Sequence, residues 1–126
     1  MRVLIVEDEA TVAVALADAL EEMGVEAIAS VRNGYAAVAL AERYNPDVVL
    51  MDVTLDGDMD GIEAARIIRD QYKVPVVFIT GLDNPLTELR IAEMGGAELL
   101  CKPATTNDLG AAIQRAVAQK INRRTH

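Results

Sequence analysis

Five short strand-like runs, three of them unbroken in apolar residues, are separated by stretches where apolar positions return every three or four residues. The runs are Val3-Leu4-Ile5-Val6, Val25 to Ala29, Val48-Val49-Leu50-Met51, Val76-Val77-Phe78-Ile79 and Glu98-Leu99-Leu100-Cys101. All five read as strands, and the continuous apolar run Val48 to Met51, introduced by Asn45-Pro46-Asp47, predicts one buried on both faces, which is the habit of parallel sheets. Between them, Val12, Leu16, Ala19, Leu20 and Met23 share one helical face, and Gly24 supplies a left-handed stop. Asn33 is a candidate N-cap for a second helix reaching about Arg43 and halted by Asn45-Pro46. Ile62, Ala65, Ile67 and Ile68 mark a third helix. Asn84-Pro85 reads as N-cap and first turn of a fourth, closed by Gly95-Gly96. Thr106-Asn107-Asp108 opens a last helix with Leu109, Ile113, Val117 and Ile121 on one face. Five strand–helix pairs joined by short connections predict one doubly wound α/β domain, a parallel sheet with helices on both sides.

Where the runs end, the chemistry begins. Val6 runs into Glu7-Asp8, Met51 into Asp52, Ile79 into Thr80, and Cys101 into Lys102-Pro103. Ligands of open α/β sheets bind at the carboxyl ends of the strands, so these residues should share one edge. Carboxylates about 4 Å apart repel by roughly 4 kcal/mol at an effective dielectric near 20. Such a cluster is relieved by protonation or by a cation, and a hard divalent ion such as Mg²⁺ matches an all-oxygen ligand set. Three carboxylates against Lys102 and one such ion sum to zero charge. A dianionic acyl phosphate in place of the Asp52 charge leaves the site one unit negative, so phosphoryl transfer to Asp52 is electrostatically supported.

Composition narrows the alternatives. A net charge of -8 over 126 residues lacks the basic stripe that nucleic-acid binding requires. The two arginines of the Asn122–His126 tail read as solvated. No apolar stretch approaches the roughly 20 residues of a membrane span, and the single Cys101 excludes an internal disulfide. These features predict a cytoplasmic protein without membrane or nucleic-acid partners. Cys101, inside a strand run, is expected to be a small core residue. Asp56, Asp58 and Asp60 resemble part of a calcium loop, but the glutamate that such a loop needs at its twelfth position is missing. Val14 falls off the core stripe among Ala10, Ala13 and Ala17, an alanine-rich face that is either neutral or a docking surface for a partner helix bundle.

Glu7-Asp8, Asp52, Thr80 and Lys102-Pro103, each after its strand, together with Met59-Asp60-Gly61-Ile62-Glu63, resemble the receiver domain of two-component response regulators over essentially the whole chain. The resemblance implies the CheY-like, flavodoxin-like (βα)5 fold with strand order 2-1-3-4-5. It implies that residues 1–126 are a single receiver domain whose phosphoacceptor is Asp52. Metal ligands would be Glu7, Asp8, Asp52 and the backbone carbonyl of Thr54, holding Mg²⁺. Lys102 would pair with a phosphoryl oxygen, oriented by a cis peptide before Pro103, and Thr80 would bind another and move on phosphorylation. The donor would be a histidine kinase or histidine phosphotransfer protein, and the output a downstream protein target. The domain would be a monomer or a phosphorylation-dependent dimer, and no enzyme beyond self-phosphorylation and slow self-dephosphorylation.

Three features depart from the family's commonest pattern. The loop Leu55-Asp56-Gly57-Asp58 is one residue longer and lacks the frequent proline. Leu99 stands where many receivers carry an aromatic switch residue. Phe78-Ile79-Thr80-Gly81 is similar to a subclass without that aromatic, yet continues with Leu82-Asp83 instead of tyrosine. Motion is therefore expected in the Gly81 to Pro85 segment, since Gly81 offers backbone freedom beside Thr80. Other readings are a receiver cut from a larger hybrid kinase or transcription factor, and a haloacid dehalogenase-type phosphatase. The start at Met1 just before the first strand favours a stand-alone protein over the former. The phosphatase wants a second acid two residues after its nucleophile, where Thr54 stands, and a cap for which the chain has no room.

Overall fold

A computed structural model of the chain describes residues 1–55, 57–81, 85–95, 97–102 and 104–124, with side chains as far as residue 119. Strands and helices alternate: β1 (Arg2–Val6), α1 (Ala10–Glu22), β2 (Glu26–Val31), α2 (Gly34–Tyr44), β3 (Val48–Asp52), α3 (Gly61–Tyr72), β4 (Val76–Thr80), α4 (Pro85–Glu93), β5 (Glu98–Cys101) and α5 (Thr106–Arg124). All strand pairs are parallel and the sheet order is β2-β1-β3-β4-β5.

Side-chain alternation along the three central strands divides the core in two. Leu4, Val6, Val49, Met51, Val76 and Phe78 face α2, α3 and Ile91 of α4, while Val3, Ile5, Val48, Leu50, Val77 and Ile79 face α1 and α5. Because β1, β3 and β4 lie inside the sheet, both faces of each are covered, which is why their sequences are unbroken apolar runs. The edge strands behave differently. Glu26, Ala27 and Ser30 of β2 are exposed, as is Cys101 of β5. The expectation that Cys101 is a core residue is therefore wrong: it ends an edge strand, where only one flank is covered.

Local signals explain most element ends. The Asn33 side chain accepts a hydrogen bond from the Ala36 amide at 2.8 Å, capping α2, and Asn45 closes that helix in the left-handed region at φ 44°. Gly24 follows α1 at φ +73° and Gly95 follows α4 at φ +67°, conformations that glycine adopts without a Cβ penalty. Helix α5 begins at Thr106, as the sequence suggests, and Thr105 caps it. Its hydroxyl accepts from the Asp108 amide at 3.0 Å, and Asp108 Oδ2 faces the Thr105 amide at 3.4 Å. In α1 the buried residues are Ala13 and Leu20, with Leu16, Ala17, Ala19 and Met23 beside them, so the expected stripe holds from Leu16 to Met23 and Ala13 takes the place of Val12. Val12 belongs to neither core, and Ala13 and Ala17 turn inward, not outward. The second strand is displaced to Glu26–Val31, while Val25 packs into the core just ahead of it. The Asn84 cap, Gly96 and the cis peptide at Pro103 fall outside the described residues.

The Asn33 cap is a local contribution that can be measured alone. Asn33→Ala should lower the unfolding free energy by about 1 kcal/mol with an unchanged denaturant slope, and Asn33→Gly by only a few tenths. Equal losses in the two variants would remove the side-chain cap from the account of α2.

Candidate functional site: an acidic centre at the carboxyl edge

The chain leaves β1 toward β2 on one side and returns to β3 on the other, so the connections diverge between β1 and β3. That divergence opens a crevice at the carboxyl ends of these two strands. Val6 pairs in register with Met51, which brings Glu7 and Asp8 beside Asp52. One ligand oxygen from each of the three carboxylates lies within 4.8 Å of the others. Glu7 is 2% exposed and Asp52 6% exposed, a degree of burial that charged groups rarely reach without partners.

Their partners are specific. Asp52 Oδ1 accepts from the Thr54 amide at 3.0 Å, and Glu7 Oε1 from the Glu9 amide at 3.2 Å. Lys102 follows β5 and reaches over the ends of β4 and β3. Its Nζ lies 3.2 Å from Glu7 Oε2 and 3.9 Å from Asp52 Oδ2. The Lys102 amide donates to the Thr80 carbonyl at 2.7 Å, so the last residue of β4 and the lysine are tied through the main chain. Thr80 is buried. Among the described residues, no buried side-chain nitrogen or oxygen lacks a hydrogen-bond partner.

Burial is the main force on the Asp52 carboxyl, and the adjacent Glu7 charge and hydrogen bond act in the same direction. The Thr54 amide and the Lys102 ammonium oppose them, and the outcome is a value raised from 3.8 to about 7. One lysine thus does not neutralise the centre. Three converging carboxylates, one of them with its proton affinity raised by burial and by the Glu7 charge, fit a hard divalent cation with oxygen ligands. The structure brings together Glu7, Asp8, Asp52 and Lys102, as the sequence suggests, and sets Thr80 and the exposed Thr54 on the adjoining strand end and turn. Leu99 is half-buried and packs against the core that contains Phe78. Of the segment expected to move, residues 82–84 lie outside the described residues.

Sequence reasoning missed a cavity of about 240 Å³ beside Glu7 and Asp8. Ala10, Ala13 and the exposed Val14 of α1 wall one side, Ser30 and Arg32 the other. Nothing in the local pattern of Ser30 or Arg32 marks them, because the parallel pairing of β1 and β2 alone brings them there.

Residues 3–114 match the sequence profile of the response regulator receiver domain. The chain belongs to that family. It is 39% identical over 118 residues to the transcriptional regulatory protein PdtaR of Mycobacterium tuberculosis, covering 94% of this chain and 57% of that protein. It is 32% identical over 132 residues to a protein-glutamate methylesterase/protein-glutamine glutaminase of Archaeoglobus fulgidus, covering 97% of this chain and 38% of that protein. The chain therefore spans about half or less of these relatives' lengths. Among solved structures, the signal receiver domain of a modulated diguanylate cyclase from Desulfovibrio desulfuricans superposes with a TM-score of 0.90 at 32% identity, covering 97% of both chains. Membership supports a phosphoacceptor role in two-component signalling, and the observed sheet order is that of the CheY-like fold. Among the described residues, no helix is long and apolar enough to cross a membrane.

The raised Asp52 value fixes the sign of a pH effect in the cation-free protein. Between about pH 4 and pH 7 the folded state keeps a proton that the unfolded state releases, so stability falls as pH rises through that window. Asp52→Asn cannot ionise and should flatten this slope. In chelator its melting temperature should exceed that of wild type by several degrees above pH 7, with the gap closing toward pH 4. Parallel calorimetric pH profiles for the two proteins would remove Asp52 as the titrating group.

Proposed function

We propose that Asp52 accepts a phosphoryl group from a phosphohistidine on a histidine kinase or phosphotransfer protein, and that the phosphorylated domain acts by binding a downstream protein. The carrying observation is the closure of Glu7, Asp8 and Asp52 to within 4.8 Å with Lys102 reaching over them. In the transfer, a carboxylate oxygen of Asp52 forms the new bond to phosphorus as the histidine nitrogen–phosphorus bond breaks. The imidazole nitrogen keeps that electron pair and takes up a proton. Asp52 must be ionised to attack, so whatever draws its value down from about 7 favours the reaction.

Glu7, Asp8, Asp52 and the Thr54 carbonyl would hold Mg²⁺, which when bound supplies positive charge to the transferring oxygens. The Thr54 amide orients the Asp52 carboxylate by holding Oδ1. Lys102, poised between Glu7 and Asp52, would turn its ammonium from these carboxylates to pair with a phosphoryl oxygen, and the Thr80 hydroxyl would donate to another. Phosphoryl loss by water would occur beside Thr54 and Leu82, making the domain a slow phosphatase of itself and no other enzyme. With Leu99 in the place of an aromatic, the signal leaves Thr80 by another route, for which the Lys102–Thr80 main-chain bond is a ready link. We place this activity in residues 1–126 as one cytoplasmic receiver domain, monomeric or dimeric upon phosphorylation.

Incubation with a small acyl phosphate and Mg²⁺, followed by intact-mass measurement, should give one phosphate-mass adduct on wild type and none on Asp52→Asn. Lys102→Ala should slow adduct formation by about 10²-fold. A wild type without adduct, or an unchanged adduct on Asp52→Asn, would defeat the assignment.

A further inference from the structure

The first turn of α3 stands directly on the acceptor strand. The Gly61 amide donates to the Val53 carbonyl at 3.2 Å. A Cβ added at Gly61 would overlap the Asp52 carbonyl oxygen, and would lie 3.0 Å from the Asp52 carbonyl carbon and from Val53 Cα. All three are main-chain atoms and cannot swing aside. At Gly34 a Cβ would meet the Met59 side chain at 2.9 Å and the Met59 carbonyl oxygen at 3.1 Å, a looser fit than at Gly61. At Gly110 a Cβ would meet only the Met23 sulfur at 3.1 Å, the far end of a flexible side chain.

The same terminus is braced from its outer side. Asp60 Oδ1 accepts from the Glu63 amide at 2.9 Å, and Asp60 Oδ2 pairs with Arg90 of α4 at 3.1 Å. Cap and ion pair hold the helix end against β3, while the missing side chain permits the approach. Inward from the contact, Asp52 bears the acceptor carboxylate and Thr54 the amide that holds its Oδ1. The helix end and the carboxylate therefore grip the same four-residue turn, Asp52 to Leu55.

We infer that Gly61 is a positioning residue of the acidic centre: its bare α-carbon lets α3 seat on the Asp52 main chain and fix the turn that aims the carboxylate. The inference builds on the acceptor reading but acts on cation binding as well as on transfer. Gly61→Ala must push the helix end or the turn outward, and a displacement of about 1 Å in such a centre costs up to 10²-fold in rate.

The test compares wild type, Gly61→Ala and Gly110→Ala by amide NMR titration with Mg²⁺ alone and by adduct formation from a small acyl phosphate. Gly61→Ala should bind Mg²⁺ about tenfold or more weakly and form adduct about tenfold or more slowly at saturating Mg²⁺. Its amide shifts should concentrate at residues 52–55 and 61, and Gly110→Ala should match wild type. Binding and rate within about twofold of wild type, or losses that follow only the unfolded fraction, would overturn the inference. Should Gly61→Ala not fold, Asp60→Ala loosens the same terminus without adding an atom. Weaker Mg²⁺ binding there supports the inference, and wild-type binding overturns it. A wild type that binds Mg²⁺ but forms no adduct defeats the acceptor reading instead, and leaves the cation arm to judge Gly61.

Discussion

Mutual repulsion of three carboxylates in a crevice that excludes much of the water is the constraint around which this molecule is arranged. Glu7 and Asp52 are almost wholly buried, and a single lysine stands over both. Burial disfavours the charged forms, and the Glu7 charge adds to that pressure on Asp52. The fold tolerates the cost because main-chain amides and Lys102 satisfy each oxygen pair in part. What they leave is a centre short of positive charge, and hence one suited to a divalent cation and a phosphoryl group.

Parallel topology makes that crowding possible. Every strand points its carboxyl end the same way, and the chain's divergence between β1 and β3 leaves their ends uncovered. An antiparallel sheet would scatter these residues over two edges. The large apolar cores on both faces hold the strand ends in register. Glu7, Asp52 and Thr80 therefore sit at the ends of the three most buried strands, as a site requiring accurate placement demands.

The helices contribute through their termini. Asp60 caps α3 and also pairs with Arg90, so the end of α3 that approaches β3 is connected to α4. Arg69 of α3 reaches the carbonyls of Met94 and Gly95 at the far end of α4 at 3.1 and 2.7 Å. Helix α4 also carries the two most exposed leucines among the described residues, Leu86 and Leu89. The exposed leucines of α4 and the turn after Asp52 thus share α3 as a common support.

Much of this was legible in the chain before any coordinates. Strands covered on both faces must be apolar throughout, so β1, β3 and β4 announced themselves, and the acids that ended them were conspicuous for the same reason. Edge strands lack that coverage, so the limits of β2 and the exposure of Cys101 were not readable from composition. The first turn of α1 was less legible because alanine is ambiguous: it fits a crowded interface as readily as an open surface, and only the tertiary packing turns Ala13 inward in place of Val12. The sequence by itself determined the alternation of elements, the parallel sheet and the identity of the groups at its edge, because burial and periodicity are local properties. Tertiary structure alone decided which oxygen Lys102 approaches, how far the Asp52 value rises, and that α3 ends against the Asp52 carbonyl. Those depend on distances between residues far apart in the chain, and distance is what a sequence does not contain.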